Sequence, residues 1–442
     1  MSTTLTTNDA ASAEVAVPPA KFTYSTRYVV TSFIIVTLGW CLVNFSNTFQ
    51  LAVPGMMEEM HYTSTQIGLV ASVFSFGGFF SALWLPLVAD RHGRKIGMAL
   101  SVAMAVVFNS MVGLTHSIVA LLPLRFLSSH GQTCQWGIGA SHLSEIAPAR
   151  MRGTLLGLMQ AGTPLGFFMC AALFTFMMSM GYSWRVFSMT AIVAVLIIIP
   201  ILFVLQESQQ WKAARAEVER MKALGKQTVE DPSQKKVNIR ELFKPAYRKN
   251  TFIAMTLHSL GAFWAWGNVT WFLVALSQDF GMDAVTRGRM SMLMWGIAVF
   301  SYALAGRVGD LIGRRAAMLV FSLLIMCGAS TMYFSTAMEV PNVQLLYVAT
   351  ALIGVGVGLH SILIAYSSEI FPTHVRATGT SIAIGIGRLT AVFSMMGLGI
   401  VAQQFSPTTA ELTAAIGALL MVPTIYIFGT ETARRELTDI VS

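Results

Sequence analysis

Twelve runs of mostly apolar residues constrain this chain more than any other feature. Each is close to the roughly 20 residues that a helix needs to cross the hydrocarbon of a bilayer. They fall at about 29–52, 66–88, 96–115, 118–143, 154–180, 185–205, 251–279, 288–306, 315–336, 344–368, 378–402 and 410–429. A soluble protein of this length would carry about 25% Asp, Glu, Lys and Arg; here they are 11%, with 55% hydrophobic residues. The expected fold class is therefore an all-α membrane protein of twelve transmembrane helices, with the lipid bilayer as its surroundings. The four cysteines, Cys41, Cys134, Cys170 and Cys327, all fall inside apolar runs, so no disulfide framework is expected.

The charged residues give the orientation. Of 29 Lys and Arg, 24 fall on one side of the proposed membrane; Arg185, Arg287 and Arg289 fall on the other, and Arg125 and Arg388 lie within spans. The positive-inside rule makes the basic side cytoplasmic, with both termini there. The net charge of +8 thus follows topology and does not point to nucleic acid. The expected parts are a disordered cytoplasmic tail at 1–28, a six-helix bundle at 29–205, a cytoplasmic loop at 206–250, a second bundle at 251–429 and a cytoplasmic tail at 430–442. The first 20 residues have no charged segment leading an apolar one, so a tail is expected there and not a signal peptide.

The halves repeat. PLVADRHGRK (86–95) matches GRVGDLIGRR (306–315), and EIAPARMRGT (145–154) matches EIFPTHVRAT (369–378), after equivalent spans. Two parallel six-helix repeats are a transporter architecture, with a substrate site expected between the halves near the midplane. Acids and arginines at these loop ends, Asp90, Arg91, Arg94, Glu145, Arg152, Asp310, Arg314, Glu369 and Arg376, are candidates for a gate that closes in one access state and opens in the other. Glu145 with Arg152, and Glu369 with Arg376, are the expected pairs. Static anchoring of the loops at the headgroups is the other reading.

These motifs resemble the major facilitator superfamily over residues 28 to 435. Asp90, Arg91, Gly93, Arg94 and Lys95 match its G-x-x-x-D-R-x-G-R-[RK] signature, with Pro86 for the first Gly; the second copy has Leu311 at the first basic position. Arg125 and Glu145 resemble the spacing of metabolite–proton symporters and sugar porters. ESQQW (207–211) and GTETARREL (429–437) are similar to motifs after their sixth and twelfth spans, and GIGRL (385–389) to the eleventh span of aromatic-acid and organic-anion symporters. The resemblance implies the major facilitator fold.

Ionisable residues within spans are functional candidates, because each is costly in hydrocarbon. Arg388 sits about ten residues into its span, near the midplane, and reads as an anion contact or an internal ion pair. Arg125, Ser129, Gln132 and Trp136 form one helical stripe that faces a cavity or another helix. Trp264, Asn268 and Trp271 share a face that fits a planar substrate or plain packing. His360, His258, His130 and Glu145 are proton-carrying candidates; a lone buried histidine is more often merely hydrogen-bonded. His360 ranks first beside Tyr366, whose spacing to Glu369 resembles the sugar-porter tenth span. Trp40, Asn44, Asn47 and Leu51 form a stripe on the first span. By resemblance, Asn44 and Asn47 stand where related symporters carry acids, which implies an Arg125 freed for an anion and leaves open a uniporter, an exchanger, or a symporter that uses a histidine or Glu145.

No HExxH, phosphate-cradling loop or serine elbow occurs, so neither enzyme chemistry, nor a metal, nor a cofactor is expected. The expected function is secondary transport of a small organic anion across the inner membrane by a monomer, with or without protons. A sugar or polyol carrier is the alternative within transport, and a non-transporting sensor the alternative outside it.

Overall fold

The computed structural model describes residues 24–148, 150–223, 239–338 and 342–433. Residues 1–23 of the tail expected at 1–28, 224–238 of the linker and 434–442 of the tail expected at 430–442 lie outside the described residues, and Thr26–Tyr28, expected in the first tail, belong to the first helix. Eleven helical segments are long and apolar enough to cross a membrane: Thr26–Met60, Ser64–His92, Arg94–Leu114, Arg152–Ser179, Trp184–Phe203, Arg248–Gln278, Ala284–Ile312, Arg314–Ser335, Val343–Glu369, Thr378–Gln404 and Pro407–Ile427. The remaining long helix, Ile118–Ile146, has 29 residues and takes the fourth place in chain order. Its hydropathy is lowered by Arg125, His130, Gln132, Gln135, His142 and Glu145, most of them buried. Spans 1 to 12 are numbered in that order, and no strand occurs among the described residues.

Several spans are interrupted where they border the centre. Span 1 breaks at Ser46–Thr48, between helices Thr26–Phe45 and Phe49–Met60. The freed Val43 carbonyl accepts the Ser46 hydroxyl at 2.8 Å. Such breaks persist in a membrane only where side chains replace the lost backbone bonds.

Spans 1–6 and 7–12 form two halves. Span 2 packs along span 11 and span 5 along span 8. On the face away from the linker, an apolar cluster joins Phe49, Val53, Met56 and Ile67 to Trp271, Val274, Met395 and Leu398. Polar ties reinforce it: the Ser64 N–H donates to Gln403 Oε1 at 3.0 Å, the Ser72 hydroxyl donates to the Val392 carbonyl at 2.7 Å, and Arg287 lies 3.8 Å from Glu58.

The linker face carries the repeated charged motif twice. Arg94 Nη2 lies 3.1 Å from Glu145 and its Nη1 pairs with Asp90; Arg314 lies 2.8 Å from Glu369 and 2.7 Å from Asp310. The expected pairs with Arg152 and Arg376 are not those that form. Arg152 opens span 5 and is exposed, and Arg376 donates to the Phe371 carbonyl at 3.3 Å. Gly93 and Gly313 are the physical reason. At φ of 109° and 98° they adopt backbone that other residues disfavour, turning Arg94 and Arg314 back over the ends of spans 4 and 10. Arg91 stays exposed.

A second pair of carboxylates locks these turns. Glu207 accepts the N–H groups of Arg94 and Lys95 at 3.0 and 2.8 Å, capping span 3. Glu431 does the same for span 9, accepting from Arg314 and Arg315 at 2.8 and 3.1 Å. Anions at helix N-termini are favoured by the exposed N–H groups and the helix dipole. The following hydroxyl also repeats: Ser208 donates to Glu145, and Thr432 donates to Glu369 at 2.6 Å. Partial burial works to raise the Glu431 carboxyl, but the N–H groups of Ala433, Arg315, Arg314 and Thr432 together hold it below the ordinary carboxylate range. A carboxylate lowered by folding stabilises above its unfolded pKa, and the benefit is lost as pH falls through the folded value. Glu431→Gln should therefore lower the melting temperature of purified protein at neutral pH, with a gap that closes on acidification. A gap independent of pH would contradict the capping role.

Candidate functional site

A cavity of about 230 Å³ lies between the halves. Span 1 contributes Trp40 and Asn44, span 4 Gln132, Thr133 and Trp136, and span 5 Gln160 and Thr163. The second half contributes His258, Trp264 and Asn268 from span 7, Trp295 and Tyr302 from span 8, His360 from span 10 and Arg388 from span 11. Tryptophans from four spans face a few convergent polar groups, the usual make-up of a small-molecule site.

Arg388 is the central charge. Gly387 lets span 11 approach the backbone of His258, where a Cβ would meet the carbonyl oxygen at 2.7 Å. The Arg388 side chain then crosses to the first half, donating from Nη1 to Thr133 Oγ1 at 2.9 Å. No carboxylate pairs with it among the described residues. A guanidinium presents five donors, so this contact leaves donors for a ligand. Four further polar atoms of lining residues have no protein partner among the described residues: Trp136 Nε1, Trp264 Nε1, Gln132 Oε1 and Gln160 Oε1. Three other lining groups are already bonded. Trp40 Nε1 donates to Thr163 at 2.9 Å, Asn44 Nδ2 to the Trp40 carbonyl at 2.8 Å, and His258 Nε2 bonds Ser367 Oγ at 2.8 Å. His360 faces the Tyr302 ring at 6.3 Å.

The structure separates several residues that the sequence groups together. Arg125 and Asn47 are not in the cavity lining. Arg125 is 2% exposed, stacked between Phe49 and Phe74 at 4.1 Å from each ring centre, and donates to Asn109 Oδ1 at 2.7 Å and Asn47 Oδ1 at 3.4 Å. The expected freed arginine is instead enclosed within the first half, with amides and ring faces in place of an acid. The predicted stripe from Trp40 to Leu51 fails at the break after Phe45, which turns Asn47 towards Arg125. Trp271 is fully buried in the apolar cluster of the far face. Tyr366 is fully buried at the linker face, where its hydroxyl accepts the Thr430 N–H at 3.2 Å. His130 bonds the Phe126 carbonyl at 2.8 Å and packs against the Phe80, Trp84 and Phe126 rings. Glu145 is held in the ion pair with Arg94.

Sequence reasoning missed Thr133, Gln160, Thr163, Trp295 and Tyr302. It also missed Glu411 on span 12, which is fully buried and accepts from Asn268 Nδ2 at 2.6 Å. A carboxylate inside a span is the available signal, but the apolar run begins only at about 410, which sets Glu411 near a loop.

The environment of Arg125 predicts a structural role. A hydrogen bond to a charged group is worth about 1.5–3 kcal/mol, so Asn109→Leu should lower thermal stability. Asn47→Asp, which puts an opposite charge beside the guanidinium, should raise stability and strengthen the pH dependence of transport. Thermal unfolding and uptake at several pH values check both; an unchanged pH profile in well-expressed Asn47→Asp protein contradicts the second.

Comparison with known proteins follows the same lines. The family model described as "Sugar (and other) transporter" matches residues 40–442. A probable 4-methylmuconolactone transporter of Cupriavidus pinatubonensis is 23% identical over 400 residues, covering 88% of this chain and 87% of that protein. The 4-hydroxybenzoate transporter of Pseudomonas aeruginosa is 23% identical over 399 residues, covering 85% and 87%. A structure of the xylose transporter from E. coli, in a partially occluded inward-open conformation, superposes with a TM-score of 0.73 at 15% identity, covering 93% and 100%. The chain belongs to the sugar (and other) transporter family and has the major facilitator fold.

Proposed function

We propose that this transporter carries a small planar organic anion bearing a carboxylate, and that Arg388 is its charge partner. The observation behind this reading is a guanidinium in the cavity between the halves with a hydroxyl, and no carboxylate among the described residues, against it. An uncompensated cation is costly within a membrane unless something that enters the site balances it. Trp136 and Trp264 add unspent N–H donors, and their rings suit a flat substrate. The 4-hydroxybenzoate transporter among the relatives carries a molecule of that kind by its name.

Alternating access supplies the movement. The far face is joined by the apolar cluster and the Ser64–Gln403 bond, so this arrangement is closed there. The linker face, taken as cytoplasmic from its basic residues, holds each half together through Arg94–Glu145 and Arg314–Glu369. In this reading these pairs stiffen the halves as bodies that rock about Arg388 and Thr133, in a monomer in the inner membrane. Binding of an anion would draw Arg388 from Thr133 and so bias the equilibrium between access states.

The unspent oxygens of Gln132 and Gln160 favour a second reading, a sugar carrier, since they accept hydroxyl groups. Counterflow in proteoliposomes decides between them. Unlabelled benzoate, 4-hydroxybenzoate and muconate should exchange with labelled 4-hydroxybenzoate, and xylose and glucose should not. Loss of one charge-assisted contact, about 1.5–3 kcal/mol, corresponds to roughly 10- to 150-fold, so Arg388→Ala should reduce uptake by that factor without loss of folded protein. Sugar exchange, or normal uptake by Arg388→Ala, would overturn the anion reading.

A further inference from the structure

We infer that Glu411 on span 12 is the proton-carrying group of the transport cycle, and that the Asn268 amide reports its state to the cavity. The inference rests on the transport reading but not on the identity of the substrate. Glu411 is fully buried; its Oε1 accepts Asn268 Nδ2 at 2.6 Å and its Oε2 has no partner among the described residues. Asn268 lines the cavity one helical turn from Trp264. A carboxyl group thus stands one side chain behind the substrate site with one oxygen uncommitted.

The surroundings offer it no fixed counter-charge. Span 12 packs against spans 7, 9 and 11. In the halves of those helices nearest Glu411, span 7 carries no charged residue from Trp264 to Gln278, and span 11 none from Leu389 to Gln404. Span 9 carries only Cys327 and Tyr333 as titratable groups, both exposed. Asp279, just beyond span 7, accepts both the N–H and the hydroxyl of Thr408. Nothing there fixes Glu411 in the charged form, so its proton can come and go.

Of the other candidates, His360 faces the cavity that holds the Arg388 cation, where a second positive charge is repelled; the other three are committed elsewhere. Glu145 is bound to Arg94 and Ser208, His258 to Ser367 and His130 to a backbone carbonyl within its own helix. Glu411 also has a route to the substrate. As a carboxylate it accepts the Asn268 amide N–H. As an acid it donates its proton to an oxygen, and the Asn268 amide turns over to present Oδ1. Its NH₂ group then faces the cavity as a donor for the anion. Proton and anion therefore favour each other's binding, and one proton with one monovalent anion moves without net charge. The proton is taken from solution on one side, held as Glu411–COOH and released on the other.

Two measurements test this. Infrared difference spectra of purified protein between acidic and alkaline buffer, without substrate, should show a protonated carboxyl band that is absent in Glu411→Gln; the same band in both overturns the proposal. In proteoliposomes, Glu411→Gln should retain 4-hydroxybenzoate counterflow but lose protein-dependent accumulation driven by a pH gradient, a loss of about tenfold per pH unit for one proton. Full gradient-driven accumulation by Glu411→Gln also overturns it. Should Glu411→Gln not fold, Glu411→Asp replaces it: the carboxyl band must move and the pH profile of uptake must shift, and unchanged values refute the role. If wild-type protein ignores 4-hydroxybenzoate, the substrate reading fails while the infrared result still decides the proton site.

Discussion

Hydrocarbon offers no hydrogen bonds, so each polar atom carried into the membrane needs a partner from the chain or from what the chain transports. Three ionisable groups within spans meet that demand in different ways. Arg125 is enclosed by two ring faces and two amide oxygens. Glu411 has one amide and one uncommitted oxygen. Arg388 has a single hydroxyl and an open cavity. Arg125, closed in by rings and amides although its Nε has no partner among the described residues, reads as structural, and Arg388, which faces the cavity, is the one proposed to meet a ligand.

The repeat at the linker face follows the same constraint at the membrane boundary. Each half ends a span in a charged turn, and each turn needs a glycine at positive φ, an arginine folded back on a glutamate and a second glutamate on the freed N–H groups. Glu207 and Glu431 come from the segments after spans 6 and 12, so each half is closed by its own C-terminal end. Spans 1–6 and 7–12 meet along spans 2 and 11, spans 5 and 8 and spans 1 and 7, and in the proposed cycle they change their relation as two bodies without rebuilding their interiors.

Much of this was legible in the residues. Apolar runs placed the twelve spans, with ends missed by eight residues at span 1 and six at span 8, and the polar stripe of span 4 marked it as central even though that stripe keeps it from being apolar enough to count by hydropathy. Arg388 could be placed by depth alone. The failures have particular causes. Periodicity assumed a continuous first span, and the break at Ser46 moved Asn47 off the cavity. Pairing by proximity along the chain joined Glu145 to Arg152, whereas the turn at Gly93 delivered Arg94 from another span. Glu411 was lost to a helix that starts at Pro407, a turn earlier than its apolar run suggests.

The central claim is that the cavity recognises negative charge through Arg388, and calorimetric titration of the purified protein with 4-hydroxybenzoate and its uncharged amide, 4-hydroxybenzamide, tests it most directly. The two molecules differ little in shape, so ring stacking and packing are nearly equal. The account predicts binding of the acid with little or none of the amide, and loss of that preference in Arg388→Gln. Equal affinity for the two in the unmodified protein would contradict it.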